Sequence, residues 1–163
     1  SIFGTVHVEV SVDSDIVQIH DTIDCIEQEV FDIAWAAIGD AQTPYQQALA
    51  IQHYLQSSYE YTLEAPWQQS DMDFVSTFLL LNKQGYCTHF ASSMTVLCRM
   101  VGLPARYVEG FLAEPAADGI AYVTGQNAHA WTEVYFAGFG WLTDNVERVG
   151  WLAVIGDCWR SAV

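Results

Sequence analysis

The sequence predicts an α+β fold, with N-terminal helices packed on an antiparallel sheet. Three observations predict it. The 163 residues are 52% hydrophobic with six Trp, eight Tyr and eight Phe, a composition that closes around a core. Helical apolar spacing dominates the chain up to Val101. Alternating, glycine-punctuated patterning dominates after Pro104. Helices first and strands afterwards is the order of an α+β domain, not of repeated βαβ units. The whole chain, 1–163, reads as one domain, since it shows no internal repeat, low-complexity segment or linker.

Each element has its own signal. VHVEVSV, residues 6–12, alternates and predicts a strand. Residues 21–38 turn helical, with Ile23, Ile26, Val30, Ile33 and Ala37 on one stripe. Thr43-Pro44 predicts a helix start, Thr as N-cap and Pro at N1, with Ala48, Ile51 and Leu55 inward and an end near residue 57. Residues 59–63 read as extended, and 64–71 as a polar loop carrying Trp67. Asp73 is placed to cap a short helix reaching residue 80. From 87 to 101 the apolar positions 90, 94, 97 and 101 share a helical face, and Gly102 and Pro104 end the helix. Strands follow at 105–112, 120–124, 128–136 and 141–146, the last two as a hairpin around AGFG.

Net charge is −15, from twenty acidic residues against one Lys and four Arg. Such a surface repels nucleic-acid backbones and anionic membranes, so neither is an expected partner. No apolar run reaches the ~18 residues that span a bilayer, and no basic n-region precedes an apolar stretch at the start, so no membrane insertion or signal peptide is expected within these residues. Four cysteines, at 25, 87, 98 and 158, form no C-x-x-C pair, so zinc-ribbon and thioredoxin readings are set aside and the redox compartment stays open. No cofactor signature is present.

The chemistry concentrates at QGYCTHFA, residues 84–91. Cys87 reads as a nucleophile, as half of a metal site, or as one small apolar residue. It sits seven before Met94, on the inward stripe and in the first helical turn. The partial positive charge there lowers a thiol pKa, and the unpaired N–H groups of that turn can face an oxyanion. His89 lies about 200° around the helix from Cys87, which weakens a shared metal site. His129, in NAHAWTEVYF between two small alanines, is the alternative partner; buried structural histidine is its competing reading. Arg106 reads as a structural ion pair at a strand start, and Trp131 and Trp141 as core. Trp67 and Tyr86 are candidates to line a cleft beside Cys87.

Ordered blocks carry a family resemblance: GYCTHFA, GLPARYVEGF and HAWTEV are filled in order, and GW stands where the family's last block, GW followed by an acidic residue, begins. Over a motif-bearing core of about 45–147, preceded by an N-terminal strand and helix in 1–44, the chain resembles the microbial branch of the transglutaminase-like superfamily. The resemblance implies a papain-like, transglutaminase-core fold with the nucleophilic cysteine at a helix N-terminus. It implies a Cys-His-Asp type triad that acts on protein or peptide amides through a thioester, with Cys87 attacking and His129 moving the proton. Water as second substrate gives peptidase or deamidase chemistry, and an amine gives cross-linking. Some family members are domains of membrane-anchored proteins, and the compartment of this one stays open.

The third member departs from the family pattern, W-x-x-x-D-P-T. Four residues after Trp141 stands Asn145, Asp144 is one early, and Val146-Glu147 replace Pro-Thr. An Asn oxygen accepts an imidazole N–H adequately, as in Cys-His-Asn sites. A two-residue turn at Gly138-Phe139 would put Asp144 on the His129 face; a three-residue turn centred on Ala137 would put Asn145 opposite His129. Both stay in play, as does the alternative of a weakened or inactive chain that keeps the fold as a binding or scaffold module.

Overall fold

The computed structural model describes residues 26–65, 71–113 and 120–144. The strand expected at 6–12, the start of the first helix, Trp67, Asn145, Cys25 and Cys158 lie outside them. Helix α1 spans Gln28–Ile38 and buries Val30, Ala34 and Ile38, with Ile26, Ile33 and Ala37 half-buried beside them. Helix α2 is Pro44–Ser58, and its start follows the sequence signal closely. Thr43 Oγ1 accepts from Gln46 N at 3.2 Å, and Gln46 Oε1 accepts in return from Thr43 N at 3.2 Å. The helix buries Ala48, Ile51 and Leu55, the three positions expected.

The chain then runs into β1, Glu60–Tyr61. Next comes a short helix α3, Phe74–Ser76, capped by Asp73, whose Oδ1 accepts from Val75 N at 2.8 Å and Ser76 N at 3.0 Å. A π-helical turn continues it over Thr77–Asn82 and ends at Lys83, which takes φ 55° and donates its N–H to Phe78 O. Strand β2, Gln84–Gly85, pairs in parallel with β1. Neither the π turn nor this two-residue ladder has a periodic signature, and neither is foreseen by the sequence.

Helix α4, Cys87–Met100, is the centre of the molecule. It buries Phe90, Ala91, Met94, Leu97 and Cys98, with α1 and α2 on one side and the sheet on the other. The sheet is β3 (Ala105–Phe111), β4 (Ala128–Phe136) and β5 (Gly140–Asp144), antiparallel in the order β3-β4-β5. The α+β prediction therefore holds.

One expected strand does not form. Residues 120–124 are irregular and exposed, Tyr122 at 64%, and lead into a 3-10 turn at Gly125–Asn127. Side chains there bond locally instead of building a ladder: Thr124 Oγ1 accepts from Gln126 N, and Asn127 Oδ1 accepts from Thr124 N at 2.8 Å. The apolar residues of this segment stay exposed outside the β3-β4-β5 sheet.

Candidate active site

The first turn of α4 is built by its neighbours. Tyr86 is the N-cap, in extended conformation. His89 closes the turn: its Nδ1 accepts from Tyr86 N at 3.3 Å, while its own N–H donates to Tyr86 O at 2.8 Å. Its ring stacks on Phe74 at 4.6 Å, meets Tyr86 edge-on at 4.6 Å, and is only 8% exposed. Burial lowers the His89 pKa below the usual histidine value. His89 is thus a structural cap. It also explains the glycine two places before the cysteine, because a Cβ on Gly85 would lie 2.6 Å from His89 Cγ and 2.8 Å from His89 Cβ.

Cys87 is the first residue of α4, half-buried and outside any disulfide. Its electrostatic neighbour is Tyr107 of β3. The Tyr107 hydroxyl donates to Glu109 Oε1 at 2.6 Å and takes a hydrogen bond from the side chain of Thr88. Burial first, then the Glu109 hydrogen bond, push the Tyr107 phenol up to about 12. Sequence reasoning passed over this Tyr-Glu pair. Their i, i+2 spacing puts the two on one face of β3, but nothing local in the sequence shows that this face meets the start of α4.

His129 is the second residue of β4, opposite Gly110 of β3. The Trp131 ring lies 6.3 Å from the imidazole at an interplanar angle of 20°, and its Cη2 would sit 2.7 Å from a Cβ on Gly110. Glycine at 110 therefore makes room for the indole beside His129. Trp131 is half-buried on the outer face of the sheet, next to the core and not inside it. Arg106 is the ion pair expected: its Nε donates to Glu133 Oε2 at 2.7 Å, with the guanidinium 4.3 Å from the Trp141 ring centroid.

The helix–sheet contact brings Cys87 and His129 to the same end of the fold. Thr132 Oγ1 donates to Ala91 O at 2.9 Å and lies 3.1 Å from Thr95 Oγ1, which fixes α4 against β4. Cys87 is four residues, about 6 Å, before Ala91, and His129 is three residues, about 10 Å, before Thr132. At the other end Tyr135 N reaches Pro104 O, just after α4. Helix and strand therefore run the same way, and both candidate residues lie at their starts. Within β4, Ala130, Thr132, Val134 and Phe136 are the buried set, and His129 belongs to the alternate set with Trp131, Glu133 and Tyr135.

The hairpin after β4 is neither of the two turns considered from the sequence. Phe136 pairs with Gly140, leaving three residues, 137–139, in a turn centred on Gly138. Gly138 and Gly140 both take left-handed φ, 84° and 87°, which glycine adopts without strain. In this register Asp144 pairs with Thr132, and Thr143 with Glu133. Position 144 thus falls in the alternate set from His129. Among the described residues, no group of three or more His, Cys, Asp or Glu is disposed to hold a metal ion.

The comparisons agree on a family. Residues 32–145 match the model described as the transglutaminase-like superfamily. The uncharacterized protein YebA of Bacillus subtilis (strain 168) is 36% identical over 129 residues, covering 74% of this chain and 17% of that protein. A protein-glutamine gamma-glutamyltransferase of Pseudomonas aeruginosa is 33% identical over 99 residues, covering 59% of this chain and 14% of that protein. The crystal structure of the periplasmic domain of TgpA from Pseudomonas aeruginosa superposes with a TM-score of 0.64 at 27% identity, over 74% of this chain and 42% of that one. The chain spans about a sixth of the length of the curated relatives it matches.

Proposed function

We propose a reaction from one premise: the chain belongs to the transglutaminase-like superfamily, whose model it matches over residues 32–145. The reaction is cysteine-dependent acyl transfer or hydrolysis on protein or peptide amides. The Cys87 sulfur attacks the amide carbonyl carbon while His129 takes the thiol proton. The C–N bond then breaks, His129 returns that proton to the departing amine or ammonia, and a Cys87 thioester remains. Water or an amine attacks the thioester, and the thiol is regenerated. Asn145, four residues after Trp141, orients the imidazole, in preference to Asp144, whose register partner is Thr132. The unpaired N–H groups at the start of α4 face the developing oxyanion. Tyr86 and Trp67 are carried as cleft residues.

The observation that carries this reading is the position of Cys87: a half-buried, unpaired cysteine that opens α4 at the end of the fold where β4 begins with His129. The gamma-glutamyltransferase activity named for the Pseudomonas relative supports an amine as acceptor. Alkylation of the native protein by iodoacetamide near pH 7, followed by peptide mapping, tests it. Cys87 should react first, and His129→Ala should slow it at least tenfold. Equal, slow labelling of all four cysteines would refute the assignment.

A second reading is a binding or scaffold module. It is favoured by the register of Asp144 opposite Thr132 and by the missing Pro-Thr. It predicts a Cys87 thiol whose alkylation rate is indifferent to His129.

A further inference from the structure

We propose that Glu109, held by Tyr107, is a specificity-determining residue at the Cys87 site and draws a positively charged group of the substrate to it. The inference rests on the reading of Cys87 as the nucleophile. Tyr107 and Glu109 are two apart on β3 and so share one face of the strand; their register partners, Thr132 and Ala130, are both buried against α4. The face that carries the pair is therefore the one on which α4 lies. The 2.6 Å hydrogen bond from the Tyr107 hydroxyl fixes one carboxylate oxygen of Glu109, and the Thr88 side chain, adjacent to Cys87, bonds the same hydroxyl. The chain Thr88–Tyr107–Glu109 thus leads from the residue beside the nucleophile to an exposed carboxylate.

Two physical points make this more than a surface acid. The Tyr107 hydroxyl, at 2.6 Å, holds the Glu109 carboxylate in one orientation, unlike a freely rotating surface acid. Its carboxylate also has no cationic partner among the described residues, whereas Glu133, on the opposite face of the sheet, is paired with Arg106. An exposed carboxylate that is oriented but not neutralised suits a primary ammonium or a guanidinium. That charge can come from the entering amine or from a basic residue flanking the reacting amide.

The first test needs no turnover. The rates at which cationic 2-aminoethyl methanethiosulfonate and neutral methyl methanethiosulfonate modify Cys87 are measured on the full chain by peptide mapping. One carboxylate on the approach to Cys87 should change the cation-to-neutral ratio about 3- to 10-fold. Glu109→Gln should therefore lower the ratio by that factor without slowing the neutral reagent, and Tyr107→Phe should lower it partway. Asp40→Asn, on the loop that enters α2 at the Phe136 end, should leave it within about 1.5-fold. An unchanged ratio in Glu109→Gln, or an equal fall in Asp40→Asn, overturns the proposal. Slow modification of Cys87 by the neutral reagent refutes the nucleophile reading instead, so the two failures are separable.

A second measurement distinguishes the source of the charge. If the entering amine carries it, Glu109→Gln raises the KM for cadaverine about 3- to 10-fold and leaves ammonia release from a glutamine peptide unchanged. If the donor carries it, the same variant erases the preference for lysine-flanked over uncharged glutamine peptides. A variant that does neither overturns the proposal.

Discussion

Gly85→Ala should destabilise the protein because of one side chain, and the sign of its effect should reverse when that side chain is removed. Gly85 is not in the left-handed region, so its backbone would accept alanine, and such a change ordinarily stabilises by about 0.4–1 kcal/mol through the unfolded chain. Here the new methyl would stand 2.6–2.9 Å from Cγ, Cβ and Nδ1 of His89. These atoms are the base of a ring locked between Phe74, Phe78 and Tyr86, so they cannot swing away as the tip of a long side chain would. Overpacking of this kind costs about 1–3 kcal/mol. Displacing the ring also threatens the bond that satisfies Tyr86 N. A net loss of up to about 2.5 kcal/mol should lower Tm by up to about 10 °C for a chain of this length. The assay is urea unfolding of wild type, Gly85→Ala, His89→Ala and the double variant. With the ring gone, Gly85→Ala should be neutral or stabilising, leaving a coupling of at least about 1 kcal/mol. Additivity within about 0.5 kcal/mol, or a stabilised single variant, would refute the packing argument.

Two further outcomes follow from the same regions. His89 is held below its ordinary pKa by burial, so the unfolded chain takes up the proton first as pH falls. Stability is full above the unfolded value of 6.5, declines as pH drops below it, and levels off once folded His89 protonates. His89→Asn, which keeps an acceptor near Nδ1, should lack this component, and a flat wild-type-minus-variant difference in chemical-denaturation stability between about pH 7.5 and 5 would exclude it. Thr132→Val removes a fully buried hydroxyl bonded to Ala91 O and next to Thr95 Oγ1. It should cost about 1–3 kcal/mol, read as a lower urea midpoint at unchanged slope, and Thr95→Val added to it should recover part of that loss, since no lone hydroxyl then remains.

What the sequence discloses depends on how far each signal reaches along the chain. The caps at Thr43 and Asp73 and the buried triplet Ala48, Ile51, Leu55 are local, and they were readable because the deciding contacts lie within a few residues. The ordered motif blocks made the family legible. The hairpin was half legible: Gly138 and Gly140 marked the turn, but whether two or three residues would loop out depended on which glycine closed the ladder. The 120–124 segment was misread because alternation says nothing about whether a sheet edge is available. The Tyr107–Glu109 pair beside Cys87 was not legible, since it requires knowing that β3 runs past the start of α4. His89 was read as turned from Cys87, but its role as the cap that makes Gly85 necessary exists only in three dimensions.

The π turn at Thr77–Asn82 has a consequence for how this chain tolerates changes of length. A π turn is an α-helix carrying one residue more than its hydrogen-bonding rhythm requires, and here the surplus lies between a fixed cap, Asp73, and a fixed rung, the pairing of Gly85 with Tyr61. Deleting one residue there would let the turn relax to ordinary α-helix while Gln84, Gly85 and Cys87 keep their places. An insertion between Gly85 and Cys87 has no such slack to draw on, because the rung and the start of α4 are separated by Tyr86 alone. The distance from the ladder to the thiol is thus the part of the sequence least free to drift, and the helix before it is where drift can be absorbed.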